Sequence, residues 1–476
     1  MTISTYMSQR KKAPTGFLKE VARVVGVDHV SERESDLIAF SLDYWMYAIG
    51  RSQHGELPAL PGAVISPASS EEVQAILRCA NRYGVPVTPF AGGSGVLGGA
   101  IPLNGSVIIN LQRMNRLISV DDTSLVAELE AGILGVNLER ELNYRGYSMG
   151  NIPQSLYCST LGGWISTRAA GQFSTKYGKI EDMVLGMDVV LPDGSPLHIR
   201  PVPRRSVGPS LKDLFLGADG TLGIVTSAVV SVHPLPAATA KQSYVFDSIE
   251  TALEAVRLIL RTDSKPAVIR IFDHEESHGY FDDIGRRVTI IFLSEGDPEF
   301  VELQRKVVDR IAEANGGQDW GEVPVYTWLR KRFDIGLGPT AMRLGVVADT
   351  IEVTALFKDA AVLYEDMIKS MKAVESSILV SGHFSHFYRE GACLYMTFAG
   401  LPGDKYQYYK DMWAAAMAAT SRNNGSISHH HGIGYWRRQF MQHEMGASGI
   451  DMLRKIKSAL DPNSILNRGK LIEDGN

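Results

Sequence analysis

The stretch Val85-Pro-Val-Thr-Pro-Phe-Ala-Gly-Gly-Ser-Gly-Val-Leu-Gly-Gly99 constrains this chain more than any other. A short β-branched strand runs into a turn in which five of the eight residues from Gly92 to Gly99 are glycine. Glycine lets backbone N–H groups approach a ligand closely and accepts φ > 0 without steric cost. Consecutive exposed N–H groups in such a turn form a concavity suited to phosphate. The stretch also spells G-x-G-x-x-G at Gly93, Gly95 and Gly98, a dinucleotide fingerprint of the Rossmann kind when a helix comes next. Here the glycines lead instead into a turn to Gly105 and a second strand, Ser106-Val-Ile-Ile-Asn-Leu111. The Rossmann reading fails on that context. A phosphate cradle of another kind remains.

At 476 residues the chain exceeds one ordinary core, so two or three domains are expected. Its 45% apolar and 21% charged content is that of a globular protein, and a net charge of −5 offers no case for nucleic acid or an anionic membrane. Three scattered cysteines, Cys79, Cys158 and Cys393, fit neither a disulfide framework nor a zinc ribbon. No apolar run is long enough for a membrane span, and neither terminus reads as an address, so a cytoplasmic location is expected.

Ser69-Ser-Glu-Glu72 reads as a capping box opening a helix that Gly84 ends. Strands are expected at 117–120, 125–131 and 183–191, with a helix over 137–144. Two further loops are rich in small residues, Pro153 to Gly171 and Leu216 to Val225. Three such loops from one α+β region can surround an extended, phosphate-bearing cofactor. After Pro234-Leu-Pro236 the pattern changes to helices at 247–261, 298–314 and 404–422, and strands at 267–272, 288–293 and 391–398. This second region reads as a separate α+β domain, and the sequence shows no internal repeat. The aromatic group Tyr44-Trp45-Met46-Tyr47 reads as core packing or a lid.

Chemistry-bearing residues cluster late in the chain. His429-His430-His431 could supply acid/base groups, ligate a metal or make structural hydrogen bonds. In an extended segment His429 and His431 face one way and His430 the other, so one tripeptide rarely gives three ligands to one ion. His383-x-x-His386 could add to them, but no carboxylate stands at a familiar zinc spacing, and no metal is expected. Tyr395 lies in an alternating strand that places it on one face with Cys393 and Thr397. Arg270 is a charge inside an apolar strand and must meet an anion or acceptors, either as a salt bridge or as a substrate anchor.

Taken together, Gly92-Gly-Ser-Gly-Val96, Ser155-Leu with Ser159-Thr-Leu-Gly-Gly-Trp-Ile-Ser-Thr-Arg-Ala169, Asp219-Gly-Thr-Leu-Gly-Ile-Val225, Gly391-Ala-Cys-Leu-Tyr395 and Ser428-His-His-His-Gly432 resemble the flavoproteins of the vanillyl-alcohol oxidase/p-cresol methylhydroxylase superfamily. Within it the chain looks most like the alkyldihydroxyacetonephosphate synthase branch and its bacterial FAD-linked oxidase relatives, over about residues 40–471. The resemblance implies an α+β fold: a two-subdomain FAD-binding domain of the p-cresol methylhydroxylase type with an α+β cap domain. It places an N-terminal segment at 1–56, the FAD domain at 57–237, the cap at 238–425 and a segment returning to the flavin at 426–476. Gly92, Gly93, Ser94, Gly95 and Val96 would bind the pyrophosphate. Pro153, Gln154, Ser155, Ser159, Gly162, Ser166, Thr167, Arg168 and Ala169 would line the rest of the FAD, with Asp219, Gly220, Thr221, Gly223, Ile224 and Val225. Tyr395, His429, His430, His431 and Arg270 match positions the family uses in catalysis. No histidine stands in Val85 to Gly99, where some members attach FAD, so non-covalent binding is expected.

The implied activity is oxidation of a hydroxyl-bearing small molecule by hydride transfer to flavin N5, with Tyr395 or His429 to His431 as acid/base and an unidentified electron acceptor. The alternatives are synthase-like exchange of acyl for alkyl in ether-lipid formation, and 2-hydroxy-acid dehydrogenation. A homodimer is compatible with the sequence. Two departures bear on the substrate. Where the family carries an arginine of an anion-holding Arg-Asp pair, this chain has Gly338-Pro339, with Arg332 and Arg343 nearby but out of register. Where the hydroxy-acid branch has Glu-His-Gly, this chain has His430-His431-Gly432, without that branch's metal-ligand pattern. The long N-terminal extension and peroxisomal address of the eukaryotic synthases are also missing.

Overall fold

A computed structural model describes residues 10–334 and 337–473. The glycine turn belongs to a small sheet of four strands, in the order Val30–Ser31, Val64–Ile65, Val107–Asn110, Val87–Phe90. The last three are parallel, which requires a crossover, and the helix Ser70–Tyr83 supplies it. Ser69 caps that helix by accepting from the Glu72 N–H at 3.3 Å. The Glu72 carboxylate reaches back to the Ala68 N–H rather than to Ser69, and Gly84 closes the C-terminus at φ 62°. Val73, Ile76, Leu77 and Ala80 form its buried face, against Phe17 and Val21 of the preceding helix Thr15–Val25. A 3₁₀ turn at Leu103–Gly105 and the strand Val107–Asn110 come after the glycines, as the sequence indicates.

A second sheet of five strands is antiparallel, in the order Leu117–Asp121, Val126–Glu130, Ile224–Ser231, Val184–Val190, Pro196–Ile199. The segment expected to be a loop from Pro153 to Gly171 contains a helix, Leu161–Thr167. Thr160 caps it and Arg168 ends it at φ 55°, and Leu161, Trp164 and Ile165 are buried. Gly162-Gly163 and the hydroxyl residues are poor helix formers, so burial of those apolar side chains outweighs local preference.

The third sheet has seven strands, all paired antiparallel: Gln318–Asp319, Ala238–Phe246, Val288–Gly296, Val268–Phe272, Ser377–Phe387, Gly391–Gly400, Val347–Leu356. Four helices, Ile249–Leu260, Pro298–Ala314, Phe357–Lys372 and Lys405–Arg422, contribute to one apolar cluster with this sheet. The elements at 347–422 form a β-α-β-β-α unit, and those at 238–314 form the same order with one added short helix, His274–Tyr280, between the second and third strands, without a matching sequence repeat. The units meet where Ile271 pairs with Phe384 and Phe272 with His383. Arg270 and His383 therefore stand at the seam.

The chain ends by returning to the first sheet. Val87 and Leu466 form a parallel bridge, with the Val87 N–H donating to Ile465 and the Asn467 N–H to Val87. Among the described residues, no helix is long and apolar enough to cross a membrane.

Candidate active site

One cavity of about 610 Å³ runs from the glycine turn, past the Leu161–Thr167 helix, to the strands at the seam of the third sheet. All three small-residue loops line it. At the glycine end its wall is main chain. Among the described residues, none of the N–H groups from Gly92 to Gly98 donates to a protein acceptor. Gly92 to Val96 line the cavity, where a pyrophosphate would supply the acceptors. Two positions admit only glycine: a Cβ on Gly92 would lie 2.2 Å from the Cys158 carbonyl oxygen, and Gly93 sits at φ 62°. Asn467 locks this end, its side-chain N–H₂ donating to the carbonyls of Gly99 at 3.0 Å and Asp219 at 2.6 Å. Asp219 in turn accepts from the Gly434 N–H at 2.8 Å, joining the cradle to the histidine segment.

Of the expected cofactor residues, all but Arg168 and Thr221 line the cavity. Arg168 turns away, its Nε donating to the Leu216 carbonyl at 3.1 Å. The Thr221 hydroxyl donates to the Ala218 carbonyl. Tyr44 and Met46 also line the cavity, while Trp45 between them is buried, so the aromatic segment is both core and lining.

At the other end the wall is side chains. Tyr395 packs face to face on His383, with ring centroids 4.9 Å apart. Its oxygen accepts from Thr350 Oγ1 at 3.1 Å and lies 3.2 Å from His431 Nε2. Burial raises the Tyr395 phenol well above its ordinary range and lowers His431 to about 4, so both are neutral near pH 7. Arg270 donates to His383 Nε2, and His383 Nδ1 donates to Glu276 at 2.8 Å. Glu276 also accepts from Thr397 at 3.1 Å. Burial would raise Glu276, but His383 and Arg270 hold it below the usual carboxylate range. The charge of Arg270 is thus already offset. Its guanidinium stacks near Phe272 and Trp328, and its Nε has no partner among the described residues.

The histidine segment is pinned by Glu352 and Arg437, both fully buried and 2.8 Å apart. Glu352 accepts from the N–H groups of His429 and His431 and from Ser428 Oγ. Burial alone would raise Glu352, yet Arg437 and His431 bring it down to about 2. The segment is not an extended strand, and the expected alternation is not observed. His430 and His431 line the cavity while His429 does not. His429 Nε2 meets the Tyr388 hydroxyl at 2.8 Å, and Lys179 Nζ donates to its carbonyl at 2.6 Å.

Sequence reasoning missed Glu276, Glu352, Arg437, Thr350 and Lys179, because a carboxylate or lysine headed for burial looks like any surface charge. It weighed His383 and His386 only as a pair. Gly338 falls in the short helix Leu337–Arg343. Arg343 is exposed, whereas Arg332 is stacked on Phe173 and Phe333 and donates to Gln172, which lines the cavity.

Residues 61–200 match the FAD binding domain family, and residues 235–471 match the C-terminal domain of FAD linked oxidases. The chain belongs to the FAD-linked oxidases. This enzyme is 32% identical to the alkyldihydroxyacetonephosphate synthase of Trypanosoma brucei brucei over 460 residues, 89% of this chain and 75% of that one. It is 28% identical to the uncharacterized FAD-linked oxidoreductase YgcU of Escherichia coli K12, over 98% of this chain and 99% of the other. A solved alkyldihydroxyacetonephosphate synthase superposes with TM-score 0.84 at 26% identity, covering 98% and 88% of the two chains. Substrate-bound p-cresol methylhydroxylase superposes with TM-score 0.75 at 18% identity over 98% of both, so the two chains share a fold. The cofactor of this FAD-linked oxidase is FAD, and the unpaired N–H groups of the glycine turn suit its pyrophosphate.

Proposed function

We propose that this FAD-linked oxidase carries out exchange chemistry of the alkyldihydroxyacetonephosphate synthase kind, replacing an acyl by an alkyl chain on a dihydroxyacetone phosphate ester. The observation that carries this reading is the Tyr395–His431 pair, 3.2 Å apart at the substrate end of the cavity, in a chain whose relatives bear that name. Bound FAD supplies the reactive centre of its flavin ring. Exchange needs a group that takes a proton from an incoming alcohol and one that returns a proton in the opposite half-reaction. A neutral phenol and a neutral imidazole in hydrogen-bond reach can do both without net gain or loss. Thr350 holds the phenol oxygen, Glu352 with its Arg437 counter-charge holds the backbone that carries His431, and Arg270, linked to Glu276 through His383, lines the cavity beside the reacting groups. Tyr395, His431 and Arg270 are thus assigned to catalysis, and the cofactor is held without a covalent bond. The regions 57–237 and 238–425 would act as FAD domain and cap, with 1–56 packed on the first and 426–476 returning to the flavin.

A second reading has its own support. Gly338 replaces the anion-binding arginine, and Glu276 offsets Arg270, which favours a less anionic substrate whose hydroxyl carbon is oxidised. One experiment separates the two. The holoenzyme is mixed anaerobically with an acyl-dihydroxyacetone phosphate and a fatty alcohol, with no electron acceptor. Ether product with the oxidised flavin spectrum recovered once the substrate is consumed is expected. No product, together with bleaching by a simple alcohol, would replace exchange by oxidation.

A further inference from the structure

His386, His429 and His430 form a cluster that the proposed reaction leaves unused, although the His430 ring also stacks beside Tyr395 with centroids 6.0 Å apart. One ring nitrogen from each lies within 4.8 Å of the other two. His429 Nδ1 and His430 Nδ1 are 2.9 Å apart, close to the spacing of two nitrogens on one small ion. His386 comes from a different element. Its backbone sits at φ 50° where the register of strand Ser377–Phe387 shifts, and that irregularity turns its ring to meet the other two. The rings of His386 and His429 stack at 5.0 Å, and those of His386 and His430 are 4.9 Å apart.

We propose that His386, His429 and His430 form a binding site for a divalent transition metal of the zinc class, reached from the substrate cavity. Three features of the surroundings support this. Two of the three rings already have an outer partner, as metal-ligating imidazoles commonly do: His386 Nδ1 meets Ser174 Oγ at 2.7 Å and His429 Nε2 meets the Tyr388 hydroxyl at 2.8 Å. These contacts orient the two rings, and an ion would take the place of the proton now shared between His429 Nδ1 and His430 Nδ1. Next, the nearby cations are offset. Lys179 has Glu181 at 3.2 Å and Arg437 has Glu352 at 2.8 Å, so the cluster does not sit in uncompensated positive charge. Lastly, His386 and His430 line the cavity, so an ion held by three imidazoles keeps a coordination position open on that side. The ion would there act as a Lewis acid toward an oxygen entering the cavity. Imidazole-only donors favour zinc, copper or nickel over magnesium or calcium.

The test uses the chelator-treated FAD-loaded enzyme, titrated with Zn²⁺ in a calorimeter and analysed for bound zinc after gel filtration. One zinc per chain is expected. His386→Gln should abolish stoichiometric uptake while keeping the flavin spectrum, and Tyr388→Phe, which spares all three ligands, should weaken binding about tenfold. No stoichiometric uptake by the wild type, or uptake equally tight in Tyr388→Phe and in any folded His386→Gln, overturns the proposal.

Discussion

Where the cavity meets the glycine turn, its wall is main chain held open by the absence of side chains. Where it meets the third sheet, its wall is side chains drawn from five elements and held by buried charge. The two ends are thus built on opposite principles. A backbone cradle depends on chain geometry, so it is broken by adding atoms. A side-chain array depends on hydrogen bonds and compensated charges, so it is broken by removing them. The FAD end can be lost with the Tyr395 array intact, and the array can be disabled with FAD still bound.

The largest separation is expected from Tyr395→Phe. Removing the phenol oxygen that links Thr350 and His431 should lower turnover about 10²–10⁴-fold, the usual range for an acid/base group, with FAD content and melting temperature unchanged. Flavin content and steady-state rate measured on one preparation check it.

Glu352→Gln tests the support beneath that array. It leaves the fully buried Arg437 guanidinium without its counter-charge, which costs about 3–5 kcal/mol. Denaturant melts of the holoenzyme should show that loss, and the histidine segment should lose protection in hydrogen exchange while the glycine turn keeps its own.

The converse experiment is Gly92→Ala. Its Cβ cannot be accommodated without moving the Cys158 carbonyl, a strain of about 1–3 kcal/mol, or about 5- to 150-fold in FAD affinity. Fluorescence titration of the apoprotein reads this directly. Turnover per bound FAD should stay near the wild-type value; a fall in it would mean the two ends are mechanically coupled.

The smallest effect is expected at Asp273, buried at the seam of the third sheet, where it accepts from the Gly382 N–H and the Tyr364 hydroxyl. Burial raises its carboxyl to about 6 from an ordinary 3.8. The folded form therefore holds a proton that the unfolded form has released. The associated stability is fully present below about pH 4 and is lost as pH rises through about 6. Asp273→Asn should remove that decline, changing the melting temperature between pH 5 and 7 by about 2–4 °C relative to wild type.

The same contrast explains what the sequence could reveal. Glycines, capping residues and turn signals act locally, so the glycine turn, the helix Ser70–Tyr83 and the strand over 183–191 were legible. The strand Ser377–Phe387 is buried continuously from Val380 onward and shows no alternation, and Val347–Leu356 carries Asp349 and Glu352, which suggest an exposed segment. Both were missed. Tyr395, His430, His431 and Arg270 were found through motif resemblance and do converge on the cavity. His383 and His386 are three residues apart, so an ideal strand would place them on opposite faces. The register shift beside His386 brings both to the cavity, and nothing in the residue order announces it. The helix Met441–Leu460 was obscured by Gly446, which takes φ 63° inside it.

The bridge between Val87 and Leu466 has a consequence for biosynthesis. The first sheet is translated early, yet the amide that ties Gly99 to Asp219 belongs to Asn467. Until the last residues are made, the glycine turn lacks that tie and the edge contact beside Val87. A nascent chain that ends before Ile465 therefore presents a glycine turn that its own tail has not yet closed.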